Sequence, residues 1–278
     1  MDFTKRNFKR LLNIIKQPEM KILPGNIAFF LVLSIFPIIT LGGYLATFYN
    51  VSIDSFVNLM NDILPHEVNS VLIPYVTGNG MDIHVGFSIF LGYIIASNGA
   101  HSIIVSSNTL YGLEHSSYFK RRVKSLFITV LLIILFIFSL VVLAFGNHIL
   151  KFVLGLNFFG SIGDDIYYMF LLLKWPIALV VTFIMVKLIF TIAPDSMIKS
   201  KITTKGAFFT TVSWVVFTFI YSYYVQHFSH YDIFYGSLSN IIIMMMWIYI
   251  LSCSLVIGIA INVQNYRVYE ESIKKSEK

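Results

Sequence analysis

Charge is the scarcest property of this sequence. Only 12% of its 278 residues are Asp, Glu, Lys or Arg, whereas 57% are hydrophobic. A soluble domain carries about 25% charged residues, so a chain of this composition lacks the polar surface that keeps a soluble protein in water. The scarcity therefore excludes an ordinary soluble domain and indicates an integral membrane protein.

Cysteine is almost absent as well. Cys253 is the one cysteine and lies in an apolar run, which excludes a disulfide framework and a C-x-x-C metal or redox motif. The sequence also lacks a P-loop, a G-x-S-x-G nucleophile elbow and the H-E-x-x-H pattern of zinc hydrolases. His227, His230 and Asp232 have the spacing of a weak metal site, but a solvated loop end explains them more simply. We therefore predict no catalytic residues, no metal site, no cofactor and no enzyme activity.

Long apolar runs are what the sequence does contain. Crossing a bilayer requires about 20 apolar residues, and the segments that reach this length are 25–49, 85–111, 124–150, 166–193, 206–228 and 238–265. The short connectors between them favour one bundle over two domains. The predicted fold is an all-α polytopic membrane protein with six transmembrane helices. Its membrane domain covers residues 25–266, between a cytoplasmic segment (1–24) and a charged cytoplasmic tail (267–278).

Lysine and arginine are concentrated in alternate connectors. They cluster in residues 1–24, 120–124, 199–205 and 267–278, whereas residues 50–84 contain none. Because positively charged loops stay on the cytoplasmic side, this distribution predicts that both termini are cytoplasmic and that the protein lies in the plasma membrane. The same asymmetry accounts for the net charge of +6 without a nucleic-acid partner.

Two further segments are amphipathic. Phe8, Leu11, Leu12 and Ile15 share one face of an N-terminal helix whose other face is basic, a pattern typical of helices that lie on an anionic membrane. The alternative is that this helix packs on the protein's own cytoplasmic ends. In the first outer connector, about residues 52–76, two apolar stripes predict short helices that form either a lid or a structural cap.

Polar side chains recur on single faces of four spans. Polar groups in hydrocarbon are costly and usually face the bundle interior. The candidates for lining a central polar cavity are Ser34, Pro37, Asn98, His101, Asn108, Trp214, Asn240, Trp247 and Asn262. Pro37 is expected to bend the first span and to free a carbonyl that Ser34 can help to satisfy. Interhelical packing and hydrogen bonding are the alternative role of such residues.

Several motifs occur in a familiar order along nearly the whole chain. They are AFFLVLSIFPIITLGGYL, SNTLYG, FTIAPD, KGAFFTTVSWVVFTFIYSYYV and YGSLSNIIIMMMWIYILSCSLVIGIAIN. The matching positions are Phe29, Ser34, Pro37, Asn108, Tyr111, Pro194, Gly206, Ala207, Trp214, Tyr235, Gly236, Ser237, Leu238 and Trp247. This ordered set resembles the YihY/BrkB family of six-helix bacterial inner-membrane proteins, historically mislabelled ribonuclease BN. The chain has Ala260 where many members of that family carry a glutamate.

The residues and the resemblance lead to two functional hypotheses. The first is a transporter or flippase-like protein that handles a lipid or small amphiphilic solute. The second is a non-transporting membrane scaffold for envelope assembly. The resemblance also brings a ribonuclease label, which the lack of an acidic or histidine metal cluster on the cytoplasmic side argues against. The expected partners are membrane lipids and the substrate, without nucleic acid, and a homo-oligomer is left open.

Overall fold

A computed structural model describes residues 10–48, 83–139, 163–228 and 239–276, and these residues are largely helical. The long helices within these ranges are α1 (Glu19–Phe48), α2 (Ile83–Tyr111), α3 (Tyr118–Ser139), α4 (Gly163–Ile192), α5 (Ser200–Phe228) and α6 (Ser239–Ser276). No strand occurs in this described part. The all-α prediction is therefore confirmed.

Each of these helices overlaps one predicted span. Among the described residues, three stretches are long and apolar enough to cross a membrane by length and composition: Leu172–Ile192 in α4, Ser200–Val225 in α5 and Ile242–Lys274 in α6. The six-span topology and the orientation of the termini stay predictions. The amphipathic outer segment at about 52–76 lies outside the described residues.

The helices pack in a closed ring that follows chain order. Each helix packs against the next one, and α6 closes the ring by packing against α1. Short connections after α2 and α4 make their neighbours antiparallel, as in other helix bundles. Because α6 also contacts α2, it lies against three other helices and is central to the packing.

The buried core lies toward one end of this ring. It includes Ile27 on α1, Ile104 on α2, Phe190 on α4 and Val263 on α6, all of them 2% exposed or less. These residues lie at the ends of their helices that the charge distribution assigns to the cytoplasm. Among the described residues, buried packing is thus concentrated where the basic connectors meet.

The N-terminal segment packs on this end of the bundle. Residues 10–15 are helical, and Ile14 is only 2% exposed within the core cluster. Arg10 Nη1 lies 2.8 Å from Glu271 Oε1 on α6. For residues 10–15 these contacts favour the alternative in which the segment packs on the protein's own helices. Residues 1–9 lie outside the described part.

Helices α5 and α6 approach each other at two glycines. A Cβ atom on Gly206 would overlap the carbonyl oxygen of Gly258, and a Cβ atom on Gly258 would overlap the hydroxyl of Thr210. Small residues at a helix contact let the two backbones come close, which is common in membrane bundles. The two glycines therefore hold α5 and α6 together as a closely packed pair.

Helix α6 is longer than a membrane crossing requires. Its 38 residues span about 57 Å at 1.5 Å per residue, whereas the hydrocarbon core is about 30 Å thick. The predicted charged tail at 267–278 is therefore helical as far as Ser276.

Candidate functional site

A hydrogen-bonded turn ends α2 and positions the loop that follows. Gly112 has a φ of 68°, its N–H donates to the Thr109 carbonyl (3.2 Å), and the Leu113 N–H donates to the Asn108 carbonyl (2.9 Å). This pair of bonds is the Schellman arrangement, in which glycine takes the left-handed conformation at low cost. The turn directs residues 113–117 back toward α3, beside the last turn of α2.

Asp195 is the centre of a partly buried hydrogen-bonded group that we name the Asp195 cluster, formed by Asn108, His115, Ser116, Lys124 and Asp195. Its Oδ1 accepts from Lys124 Nζ (2.6 Å), and its Oδ2 accepts from Asn108 Nδ2 (2.7 Å) and the Ser116 backbone N–H (3.1 Å). The Asp195 N–H donates to Asn108 Oδ1 (2.8 Å), and His115 Nδ1 lies 3.4 Å from Asn108 Nδ2. Asn108 is fully buried, and the Asp195 side chain is 5% exposed. The cluster thus joins the end of α2 to α3 and to the α4–α5 connection.

The charges of the Asp195 cluster are compensated within it. Lys124 Nζ also donates to the carbonyls of Ala193 (3.4 Å) and Pro194 (3.0 Å), which follow the end of α4 and favour a cation there. Burial raises the pKa of Asp195, but hydrogen bonds from Lys124, Ser116 and Asn108 outweigh it and hold that pKa well below its ordinary value. Asp195 is therefore ionised at neutral pH with both oxygens occupied. Such a carboxylate is suited to holding three connections together and poorly suited to accepting a substrate proton.

Two arginines extend the polar surface along the first turns of α3. Arg122 donates from Nη1 to Asn98 Oδ1 (2.7 Å) and from Nη2 to the Ile94 carbonyl (2.7 Å). Arg121 donates to the Ser116 carbonyl. The half-buried ring of His101 lies 6.2 Å from that of Tyr118, measured between centroids. This group therefore lies between α2 and α3, next to the Asp195 cluster.

A row of hydrogen bonds follows the contact between α5 and α6. From one end to the other, Gly206 N–H donates to Asn262 Oδ1 (2.9 Å), Thr210 to the Ser254 carbonyl (3.4 Å), Trp214 to the Leu251 carbonyl (3.0 Å), Trp247 to Thr218 Oγ1 (3.1 Å) and Tyr221 to the Ile243 carbonyl (2.8 Å). These are interhelical packing bonds of the kind expected between membrane helices. The polar stripes predicted on these two spans therefore face each other.

The candidates from the sequence fall in separate parts of the bundle. Asn98 and His101 lie with the arginines, Asn108 lies in the Asp195 cluster, and Trp214, Trp247 and Asn262 lie along the α5–α6 contact. The side chains of Ser34, Pro37 and Asn240 lie outside the described residues. Among the described candidates, no hydrogen bond joins one to another. One cavity shared by all of them stays a prediction.

Sequence reasoning does not identify Asp195 and its basic partner Lys124 as a site. It interprets Lys124, Arg121 and Arg122 only as charges that set orientation. The sequence contains one indication of this site. Asp195 is an acidic residue directly after Pro194, in a connector whose other charged residues, Lys199 and Lys201 among them, are basic. In the described part of the chain, no three His, Cys, Asp or Glu residues are grouped so that they could hold a metal ion.

Comparison with known proteins gives a family. A family model described as Virulence factor BrkB matches residues 15–278, a range that includes all the helices above and the Asp195 cluster. The chain is 27% identical over 267 residues to the Putative ribonuclease-like protein YfkH of Bacillus subtilis (strain 168), with 94% of each chain covered. No solved structure matches it. In agreement with the resemblance of its ordered motifs, this chain belongs to the Virulence factor BrkB family and is a membrane-type protein of that family.

Proposed function

We propose that this chain is a six-span plasma-membrane protein, with both termini in the cytoplasm, that moves a lipid or a small amphiphilic solute across the bilayer. The topology part of the proposal is supported by contacts at one end of the bundle. Arg10 pairs with Glu271, and Lys199 Nζ lies 2.5 Å from the Tyr269 hydroxyl. Basic residues from separate connectors thus meet the same extension of α6, as a common cytoplasmic side requires.

The observation that carries the transport proposal is a set of buried polar atoms without a hydrogen-bond partner. Within the described residues they include Ser106 Oγ and Tyr111 Oη on α2, Thr211 Oγ1 on α5, and Ser252 Oγ and Asn262 Nδ2 on α6. An unsatisfied polar group in hydrocarbon costs several kcal/mol. Since α6 packs against both α2 and α5, water or a polar solute between these helices would satisfy such groups. A path for an amphiphile through the bundle is the function that this pattern supports best.

Lipid movement is tested with purified protein reconstituted into vesicles that contain a fluorescent phospholipid. When the protein is present, we expect a chemical quencher added outside the vesicles to remove the fluorescence of lipid from both leaflets, because inner-leaflet lipid reaches the outer leaflet. Thr211→Val removes an unpartnered hydroxyl at nearly constant shape, so it should slow movement while the thermal unfolding temperature is maintained. Thr210→Val is the matched control, because Thr210 is bonded to the Ser254 carbonyl and its loss should reduce stability. Vesicles that lose only the outer-leaflet signal, and that also retain small solutes as protein-free vesicles do, would contradict transport.

A membrane scaffold is the second candidate, and the α5–α6 contact favours it. At the Gly206–Gly258 crossing no room is left between these two backbones, and a row of hydrogen bonds beside it holds the helices together. A scaffold needs such a rigid interior, whereas a transporter must open somewhere. Disulfide crosslinks engineered between α5 and α6 separate the two functions: a scaffold keeps its activity in cells when these helices are locked, and a transporter that opens here does not.

The name of the Bacillus subtilis relative does not establish an activity for this chain. We propose that the protein is not an enzyme, needs no cofactor and does not bind nucleic acid. The proposal rests on the occupied carboxylate of Asp195 and on the separate positions of the other titratable groups described above. Homo-oligomer formation is compatible with either function.

A further inference from the structure

Basic side chains converge at the start of α3 without acidic partners. The half-buried Arg121 and Arg122 donate only to neutral oxygens, those of Ser116, Asn98 and Ile94. In the described part of the chain, the ion pairs are Arg10–Glu271 and Lys124–Asp195, so neither guanidinium has a carboxylate. Two positive charges removed from water without a counter-ion are costly. This arrangement is one that an anion would stabilise.

Unpartnered nitrogen atoms occur in the same group. Arg121 Nε and His101 Nε2 are buried, and neither has a hydrogen-bond partner. Arg121, Arg122 and His115 are all close enough to act electrostatically on His101. Buried polar atoms are nearly always bonded to something. An oxyanion would accept a hydrogen bond from Arg121 Nε, and from His101 Nε2 in the tautomer that carries its proton there, and would neutralise the surrounding charge.

An exposed apolar stripe begins in the first turn of α3, where Phe119 lies about 60° around the helix from Arg122 at 3.6 residues per turn, and runs along α3. Its members recur every three or four residues and are 41–77% exposed: Phe119, Val123, Phe127, Val130 and Ile134. Residues with this spacing lie on one face of a helix, and in a membrane protein such a face contacts acyl chains. The start of α3 therefore has a basic group, which faces α2 and the preceding loop, and an apolar face around the same turn, the two parts that an anionic amphiphile needs.

We propose that the phosphate group of an anionic amphiphile binds at the start of α3, contacted by Arg121, Arg122 and His101, with its acyl chains along the apolar stripe. The guanidinium group matches the geometry of phosphate oxygens. The expected source is an anionic phospholipid of the cytoplasmic leaflet, since basic pockets between membrane helices on that side bind such headgroups. The inference rests on the proposed topology, which puts this end in the cytoplasmic leaflet, and does not require transport.

The test measures lipid binding to the purified full-length protein in a neutral detergent, by native mass spectrometry. The probes are dioleoylphosphatidylglycerol, dioleoylphosphatidylcholine and inorganic phosphate. We expect the anionic lipid to bind most tightly and Arg121→Gln to weaken its binding about tenfold, the loss of one charge-assisted contact. Lys120→Gln is the matched control, because it removes an exposed positive charge from the same turn. If Arg121→Gln does not fold, Arg121→Lys takes its place in the comparison of lipid affinity with Lys120→Gln. It keeps the positive charge but loses the guanidinium group.

The possible results are distinguishable. Equal affinity for the two lipids, or equal losses in Arg121→Gln and Lys120→Gln, would overturn the inference. If inorganic phosphate binds as tightly as the anionic lipid and depends on Arg121, the phosphate site stands and the lipid source is wrong. Selective lipid binding by a protein that moves no lipid contradicts only the proposed function. Lipid movement by a protein without this selectivity contradicts only the inference.

Discussion

Lys124 and Asp195 form a largely buried ion pair, with 2.6 Å between Lys124 Nζ and Asp195 Oδ1, although 71 positions separate them in the chain. Their side chains are 17% and 5% exposed. The pair is surrounded by hydrogen bonds from Asn108 and the Ser116 backbone to the carboxylate. Such a pair affects stability most when one member is removed, because the other charge then stays buried without a partner.

Removing one member of this pair should therefore destabilise the protein strongly. We expect Lys124→Met or Asp195→Asn to lower the free energy of unfolding by about 3–5 kcal/mol, the usual effect of isolating a buried charge. Lys120→Met is the control, because Lys120 is exposed on the same helix. Unfolding in detergent, followed by tryptophan fluorescence, provides the measurement. Equal stability of Lys124→Met and Lys120→Met would mean that the ion pair contributes nothing.

The same pair predicts a pH dependence. The folded protein holds the pKa of Asp195 below its ordinary value, which is about 3.9 in an unfolded chain. Its contribution to stability is therefore fully present above about pH 4 and is lost as the pH falls through the folded pKa. We expect the difference in unfolding temperature between the wild type and Asp195→Asn to be constant from pH 7 to pH 5 and to shrink in more acidic buffer. If the difference in unfolding temperature instead grows on acidification, the predicted direction of the pH dependence is wrong.

The glycine contact between α5 and α6 gives a steric prediction. Gly206→Ala and Gly258→Ala place a methyl group against backbone or hydroxyl atoms of the facing helix, so we expect little folded protein in the membrane. Gly25→Ala is the control, because the nearest atom to its Cβ is Tyr249 Cε2 at 4.0 Å, and alanine is the better helix former by about 1 kcal/mol. Thr210→Ala should partly restore Gly258→Ala by removing the overlapping hydroxyl. Normal abundance of both interface variants would mean that the helices can separate at low cost.

Topology is tested by reporter fusions. We expect fusions after Asp82, Asp165 and Asp232 to report the outside, and fusions after Lys124, Lys201 and Lys278 to report the cytoplasm, because Lys and Arg are concentrated on one side. Paired reporters that are active on opposite sides of the membrane provide an internal check. A cytoplasmic result after Asp82 would contradict the six-span arrangement.

The final prediction concerns RNA cleavage. His227 is exposed and its Nδ1 lies 3.0 Å from the Tyr223 carbonyl, so one of its two ring nitrogens is engaged by a local contact. We expect purified protein to cleave RNA no faster than a mock preparation, with or without divalent metal. Metal-dependent cleavage that remains through orthogonal purification steps and disappears in His227→Ala/His230→Ala would establish a nuclease.

Much of the fold could be predicted because the forces behind it are local. Runs of apolar residues give the helices, and the position of Gly112 marks the end of α2. The hydrogen bond between Asn108 and Asp195 could not be predicted from the sequence, because it joins residues 87 positions apart and depends on how three helices meet. Single sequences also cannot show whether a polar stripe faces another helix or a cavity. Trp214 and Trp247 lie at a helix contact that their spacing alone left open.

The length of α6 has a mechanical consequence. Its C-terminal extension carries Tyr266, Tyr269 and Glu271, which contact Tyr111 (5.6 Å between ring centroids), Lys199 and Arg10, respectively. A continuous helix moves as a nearly rigid rod, so a tilt of its membrane half displaces this extension in the opposite direction. Any such tilt must also move the N-terminal segment, the end of α2 and the α4–α5 connection. Through these contacts, a tilt of α6 would be transmitted to the end of the bundle where the basic connectors meet.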